Sequence, residues 1–255
     1  LHHAYILTGI RGVGKTTTAV NLSALLGAMG QRVLMIDLDP QGNTTSGLGM
    51  EVDDKSIYEV IMGRMKLTDV MEETEFKNLS IAGSDVRLAN AELELVEVEK
   101  REYRLKTAVQ SVQQDFDFIF IDCPPSLGLL TINALGAADS VLIPIQCEYY
   151  ALEGVASLMN TISRVKKTIN PHLEIEGVLL TMLDGRTNLG LQVVDEVKKH
   201  FKKQVYATVI PRSVRLGEAP SHGEPIHVYD KRSAGCVAYV NLAKEVLKRN
   251  NIKVK

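Results

Sequence analysis

A glycine-rich segment near the start of the chain has the residue types and spacing of a phosphate-binding loop. The pattern G-x-x-x-x-G-K-[ST] is matched by Gly9, Gly14, Lys15 and Thr16. Glycines let backbone N–H groups converge on phosphate oxygens, while a lysine at this place reaches the β- and γ-phosphates and also acts in catalysis. We expect the nucleotide to be held by Arg11, Gly12, Val13, Gly14, Lys15, Thr16 and Thr17.

Aspartates follow two of the apolar segments further along the chain. Asp122 comes directly after "FIFI", and Asp37 and Asp39 come at the end of "VLMIDLD". The carboxyl ends of parallel strands meet at one edge of a sheet, where ligands bind. We expect Asp122 and the Thr16 hydroxyl to hold Mg²⁺, although Asp122 could instead cap the next turn. Asp39 can approach the γ-phosphate, orient water and contribute to the metal site, and Asp37 positions that loop or the metal shell.

Short apolar segments alternate with longer helical patterns, which is typical of a mainly parallel sheet. The predicted strands are 4–8, 32–37, 79–83, 116–122, 140–145, 175–182 and 205–211. The predicted helices are one that follows the loop and stops at Gly30, and those at 90–113, 151–168, 189–202 and 234–249. The sequence therefore predicts an α/β fold, with a twisted sheet covered by helices on both faces. We interpret residues 1–255 as a single P-loop NTPase domain, with residues 1–3 as a candidate tag remnant.

Composition limits the other classes of function. The net charge is −2, so any contact with nucleic acid must use a local basic patch. The 3 cysteines form no C-x-x-C pair, which argues against a zinc site and a disulfide framework. No stretch approaches the roughly 20 apolar residues of a membrane span. We therefore expect a cytoplasmic protein.

Several long blocks of the sequence resemble the ParA-type partition ATPases, often called Soj, of the MinD/ParA group. The resemblance covers nearly the whole chain and rests on "GVGKTTTAVNL", "DLDPQGNTTSGLG", "DCPPSLGLLTINAL", "PIQCEYYALEGV", "GVLLTMLDGRTNLG" and "VIPRSVRLGEAPSHGEPI". It implies binding of ATP and Mg²⁺, a homodimer in the ATP state and non-specific binding to double-stranded DNA. It also implies hydrolysis stimulated by a ParB-type protein, so that a nucleoid-associated cycle segregates chromosomes or plasmids.

The resemblance also implies roles for individual residues. Asp39 would be the catalytic carboxylate of the first switch region, and Asp122 the Walker B residue. Pro211 would lie at the edge of the adenine base. Relatives commonly carry Asn where this chain has Ser213, so we expect adenine recognition there through the backbone. Arg186 and Arg215 occupy positions that are basic in DNA-binding relatives and would contact phosphates without reading sequence.

The loop departs from this family at two positions. Relatives read K-G-G-V-G-K-T-T, and their first lysine reaches into the active site of the partner subunit. This chain has Ile10, which carries no charge, and Arg11, which places a planar cation one residue later. Three interpretations remain open: a natural variant that uses Arg11, an impaired or engineered loop, or an error in the sequence at this end. In each of them we expect ATP binding to survive.

Two alternative functions remain, one within the same group and one from another class. A MinD-like cell-division ATPase would need an amphipathic C-terminal anchor, but Leu247, Ile252 and Val254 are spread around a helix-breaking Asn pair. We therefore expect no stable membrane association. The second alternative is a nucleotide-binding scaffold that hydrolyses ATP poorly, which only Ile10 and Arg11 favour.

Overall fold

Eight strands form one sheet in the part of the chain that the computed structural model describes, namely residues 3–8, 12–148, 151–186 and 188–253. The strands are β1 (His3–Leu7), β2 (Val33–Asp37), β3 (Met71–Glu73), β4 (Leu79–Ala82), β5 (Phe118–Asp122), β6 (Ser140–Gln146), β7 (Glu174–Leu183) and β8 (Val205–Pro211). Their order across the sheet is β3-β4-β2-β5-β1-β6-β7-β8. The pairing is parallel except between β3 and β4. All of the predicted strands are therefore present.

The helices cover both faces of this sheet. They are α1 (Lys15–Ala28), α2 (Asn43–Gly47), α3 (Ile57–Ile61), α4 (Leu67–Val70), α5 (Leu88–Glu94), α6 (Arg104–Gln110), α7 (Leu129–Ala137), α8 (Ala151–Thr168), α9 (Asn188–Phe201), α10 (Val214–Glu218), α11 (Ile226–Tyr229) and α12 (Ala234–Arg249). Helices α1, α10, α11 and α12 pack on one face, and α3 to α9 pack on the other. The predicted α/β class with helices on both faces is confirmed.

The central strands β2 and β5 are apolar up to their last residue because both of their faces are buried. In β5, Ile119 and Ile121 face the α3–α9 side, whereas Phe118 and Phe120 face the α1–α12 side. Asp122, the last residue of β5, is paired in register with Asp37 of β2 and Leu7 of β1. The carboxyl ends of these three strands thus meet at one edge, as the sequence predicted for the aspartates.

The prediction of one continuous helix over 90–113 is wrong. The segment instead contains α5, 3₁₀ turns at Leu95–Glu97 and Arg101–Tyr103, and then α6. Lys100 has a positive φ of 54°, which interrupts a right-handed helix. The buried side chain of Asn133 donates to the Arg101 carbonyl and accepts from the Leu105 N–H, and so holds the chain in its turned conformation.

Of the described strands and α-helices, seven were missing from the sequence prediction: β3, α7 and the short helices α2, α3, α4, α10 and α11, which have four or five residues each. Helix α7 has no exposed residue and buries even the polar side chains of Thr131 and Asn133, so it shows no contrast between a buried and an exposed face. Strand β3 is a three-residue edge strand, "MEE", that is mostly exposed. Neither element has the periodic pattern on which sequence prediction depends.

Candidate functional site

The glycine-rich loop joins β1 to α1 at the carboxyl edge of the sheet. Gly12 and Gly14 have φ values of +82° and +80°, a left-handed conformation that glycine adopts without a steric penalty. The Gly14 carbonyl accepts a hydrogen bond from the Thr18 N–H, so α1 begins directly after the loop. The free N–H groups of the first helical turn then favour an anion at this place. Gly9, Ile10 and Arg11 lie outside the described residues.

Lys15 is held inside the protein although it carries a charged group. Its side chain is only 7% exposed, and Nζ donates a 3.0 Å hydrogen bond to the Cys123 carbonyl. Burial lowers the pKa of the Lys15 ammonium group, and the negative charge of Asp122 opposes that shift. The amine therefore lies between the loop and the end of β5, where it can exchange a backbone partner for a phosphate.

Asp122 accepts hydrogen bonds from two threonine hydroxyl groups on different helices. Thr16 of α1 and Thr44 of α2 each donate a 2.7 Å hydrogen bond to Oδ2. Within the described part of the chain, Oδ1 is buried with no hydrogen-bond donor. Burial raises the pKa of Asp122, and the hydrogen bonds from Thr44 and Thr16 oppose that effect. A buried carboxylate oxygen beside a threonine hydroxyl is the ligand chemistry that Mg²⁺ or its waters require.

Asp37 holds the loop that carries Asp39. Its Oδ1 accepts from the Asp39 N–H at 3.1 Å, and its Oδ2 accepts from both the N–H and the hydroxyl of Thr45. The Thr45 oxygen in turn accepts from the Ser84 N–H. Asp37 is fully buried, and burial beside Asp122 raises its pKa to about 7. These contacts agree with the predicted positioning role.

A cleft of about 500 Å³ opens above these groups. Its described lining includes Gly14, Lys15, Thr16, Thr17, Asp39 and Met182. The Asp39 side chain is 9% exposed and accepts from the Gln41 N–H at 3.1 Å. Val13 is 2% exposed and, among the described residues, is not part of the cleft lining. The structure thus brings Lys15, Thr16 and Asp39 together over Asp122.

The residues predicted for adenine lie beside this cleft rather than in it. Pro211, at the end of β8, is paired with Leu183, the neighbour of the cleft residue Met182. Among the described residues, however, neither Pro211 nor Ser213 lines the cleft. Pro211 instead borders a shallow depression with Val209 and Val237. An adenine contact at Pro211 or Ser213 stays a prediction.

Arg186 and Arg215 follow the adjacent strands β7 and β8, so both lie at the edge of the sheet that carries the cleft. The Arg186 side chain is 89% exposed and pairs with Asp184 at 2.7 Å. Arg215 is 56% exposed and contacts Glu218 at 2.9 Å and Asp230 at 3.5 Å. Each arginine therefore has an acidic partner within the chain, and their contact with DNA stays a prediction.

The sequence prediction did not include all of the residues that build the site. Thr44 donates a hydrogen bond to Asp122, and Thr45 donates one to Asp37. Both threonines lie in the segment "GNTTSG", directly after the Asp39 loop. Two adjacent hydroxyl groups at this place could have been recognised in the sequence. Thr181 donates to the Val13 carbonyl from 168 residues away. No local pattern in the sequence indicates that contact.

The chain is similar to known proteins over most of its length. A family model described as an AAA domain matches residues 8–175. The sporulation initiation inhibitor protein Soj of Bacillus subtilis is 59% identical over 237 residues, which are 92% of this chain and 94% of that protein. The chromosome partitioning protein ParA of Myxococcus xanthus is 51% identical over 244 residues, which are 95% and 86% of the two chains.

Solved structures share the fold. Cobyrinic acid a,c-diamide synthase from Mycobacterium smegmatis, with a bound ATP analogue and magnesium, has a TM-score of 0.86 at 35% identity and covers 98% of this chain and 96% of its own. The septum site-determining protein MinD from Pyrococcus horikoshii, with Mg-ADP, has a TM-score of 0.81 at 26% identity and covers 96% of each chain. No helix in the described ranges is both long and apolar enough to cross a membrane.

Identity at this level, across nearly the full length of both Soj and ParA, shows that this chain belongs to the Soj/ParA family of P-loop ATPases.

Proposed function

We propose that the chain binds ATP and Mg²⁺ in the cleft and uses hydrolysis to time the partitioning of DNA. The environment of Asp122 is the observation that carries this proposal. Its Oδ2 joins the phosphate loop, through Thr16, to the Asp39 loop, through Thr44. Its Oδ1 is left for a metal or a metal-bound water. Binding or loss of the metal would therefore affect both loops, because Asp122 is hydrogen-bonded to each of them.

The side chains around the phosphates have different proposed roles. Bound Mg²⁺ would neutralise phosphate charge, and Thr16 and Asp122 would hold it. Lys15 moves its ammonium group from the Cys123 carbonyl to the β- and γ-phosphates. Asp39 lies on a loop that Asp37 fixes in place. From there its carboxylate orients the water and accepts the water's proton.

The partition cycle requires two further partners. In the ATP state two copies associate, and the dimer contacts DNA through Arg186 and Arg215. Contacts to phosphate are independent of sequence and weaken steeply with salt. A ParB-type protein then stimulates hydrolysis and returns the chain to a form that leaves DNA. The position of both arginines at the cleft edge, and the partitioning relatives, support this cycle.

Ile10 and Arg11 bear on the strength of the dimer. Two triphosphates that face each other repel, and a cation donated across the seam offsets that repulsion. We therefore expect weak ATP-dependent association and slow turnover, both improved by combining Ile10→Lys with Arg11→Gly. Sedimentation with a slowly hydrolysed ATP analogue measures the association. A tight dimer of the unmodified chain that Arg11→Ala leaves unchanged would contradict this expectation.

MinD shares the fold, but the described part of the C-terminal tail does not favour a MinD-like function. Leu247 is fully buried, and Ile252 packs against the core on the α1–α12 face. Both apolar side chains of the described tail are thus used inside the chain's own fold. We retain the partition function.

A metal titration tests the proposed site. We expect Mg²⁺ to strengthen ATP binding to the unmodified chain by more than tenfold, and Asp122→Asn to remove most of that gain because the amide lacks a charged ligand oxygen. Thr44→Val is the comparison, because it removes a bond to Oδ2 but leaves both carboxylate oxygens in place. Equal dependence on Mg²⁺ in Asp122→Asn and the unmodified chain would refute the assignment.

A further inference from the structure

We propose that Thr181 is a positioning residue for the phosphate-binding loop. Its hydroxyl fixes the orientation of the Val13–Gly14 peptide, so that the Gly14 N–H faces the nucleotide cleft. The inference rests on the proposed function, because it assigns the loop to phosphate. It adds a residue near the end of β7, an element that carries neither Lys15 nor the aspartates.

The contact is short and buried. Thr181 Oγ1 donates a 2.8 Å hydrogen bond to the Val13 carbonyl, and both side chains are 2% exposed. The Val13–Gly14 peptide bond is trans, so its C=O and N–H groups point in opposite directions. With the carbonyl held toward Thr181, the Gly14 N–H is turned to the other side of the loop, where Gly12 and Gly14 line the cleft.

This peptide needs an external constraint. Gly12 and Gly14 flank Val13, and glycine adopts positive and negative φ about equally. The loop can therefore rotate this peptide more easily than an ordinary segment can. A rotated peptide would present the Val13 carbonyl oxygen, with its partial negative charge, to the phosphates. The Thr181 hydroxyl selects the orientation that presents a donor.

The end of β7 is shaped to make this contact. The Thr181 carbonyl accepts from the Cys147 N–H, which fixes the strand up to this residue. Met182, the next residue, has a positive φ of 52°, which is unfavourable for a non-glycine residue. The pairing of β7 with β8 also shifts register between Leu180 and Leu183. The irregular backbone places the Thr181 hydroxyl behind the loop and Met182 in the cleft.

Three variants separate positioning from simple stabilisation. Thr181→Val removes the hydroxyl but keeps the branched shape, and Thr181→Ser keeps the hydroxyl. Thr74→Val is the control, because it removes a 2.8 Å hydroxyl bond to the carbonyl of Leu79, the first residue of β4, together with a 3.1 Å bond from the Phe76 N–H. We expect Thr181→Val to weaken ATP and ADP binding, measured calorimetrically with Mg²⁺, by about tenfold each. Thr181→Ser and Thr74→Val should stay within about twofold of the unmodified chain.

A second measurement does not depend on nucleotide. The residual dipolar coupling of the Gly14 N–H reports its orientation in the nucleotide-free protein. It should change in Thr181→Val and stay the same in Thr181→Ser. An unchanged coupling, or a Thr181→Val variant that melts earlier but binds ATP as the unmodified chain does, would overturn the positioning role and leave the P-loop assignment intact. Failure of the unmodified chain to bind ATP would overturn the proposed function, whatever the coupling shows.

Discussion

Removing the Lys15 ammonium group should weaken ATP binding strongly while leaving the fold intact. The group is buried and bonded to one carbonyl, Cys123 O, in the nucleotide-free chain. Lys15→Ala removes the whole side chain, and Lys15→Met keeps most of its apolar stem. The pair of variants therefore separates the loss of charge from the loss of packing.

The magnitude follows from the contacts that Lys15 exchanges. A charge-assisted hydrogen bond contributes about 1.5–3 kcal/mol, so two of them, to the β- and γ-phosphates, contribute about 3–6 kcal/mol. The bond that Nζ gives up at Cys123 costs about 1 kcal/mol. The net loss of about 2–5 kcal/mol corresponds to a roughly 30- to 4,000-fold rise in the Kd for ATP.

Stability should respond much less than ATP affinity does. Lys15→Met removes a desolvated charge along with its hydrogen bond, so the free energy of unfolding should change by less than about 1 kcal/mol. Calorimetric titration with ATP and Mg²⁺ gives the affinity, and urea unfolding gives the stability. Lys244→Met, at an exposed lysine of α12, is the control. Unchanged ATP affinity in both Lys15 variants would refute the role of Lys15.

Three further predictions concern the neighbouring carboxylates and the arginines. Asp39→Ala should keep ATP affinity within about threefold and lower kcat by about 100-fold or more, because it removes the carboxylate that accepts a proton from water. Normal turnover in this variant would show that another residue accepts the proton. Burial raises the pKa of Asp37 to about 7, so the native chain binds more protons than the unfolded chain between about pH 4 and 7. The free energy of unfolding should therefore fall, by at most about 4 kcal/mol, as pH rises through that window. Asp37→Asn should flatten this dependence, and a flat profile in the unmodified chain, measured by urea unfolding without nucleotide, would contradict the assignment. Combining Arg186→Ala with Arg215→Ala should weaken binding to duplex DNA in gel shifts and reduce the slope of log affinity against log salt by about 2. Lys100→Ala should change neither the affinity nor the slope. DNA binding that is insensitive to salt would exclude phosphate contacts by Arg186 and Arg215.

Parts of the site that depend on neighbouring residues could be predicted from the sequence. A strand, a glycine-rich turn and a helix follow one another directly at 3–28, so local pattern is enough to place the phosphate loop. The same reasoning put Asp37 and Asp122 at the ends of apolar strands, where the parallel register brings them side by side.

Parts that depend on distant contacts could not be predicted. The break between α5 and α6 relies on the Asn133 side chain, and the orientation of the Val13 peptide relies on Thr181. These partners lie tens of residues or more away, and their residue types have no special meaning until the sheet brings them together. Tertiary contacts therefore override local helical propensity over 90–113.

ATP turnover, measured with and without duplex DNA and a ParB-type protein, tests the central claim most directly. We predict slow hydrolysis by the chain alone, a several-fold rise when DNA and the partner are both present, and loss of the activity in Lys15→Ala. Hydrolysis that survives in Lys15→Ala, or that never responds to DNA and the partner together, would contradict a partition ATPase that works through this cleft.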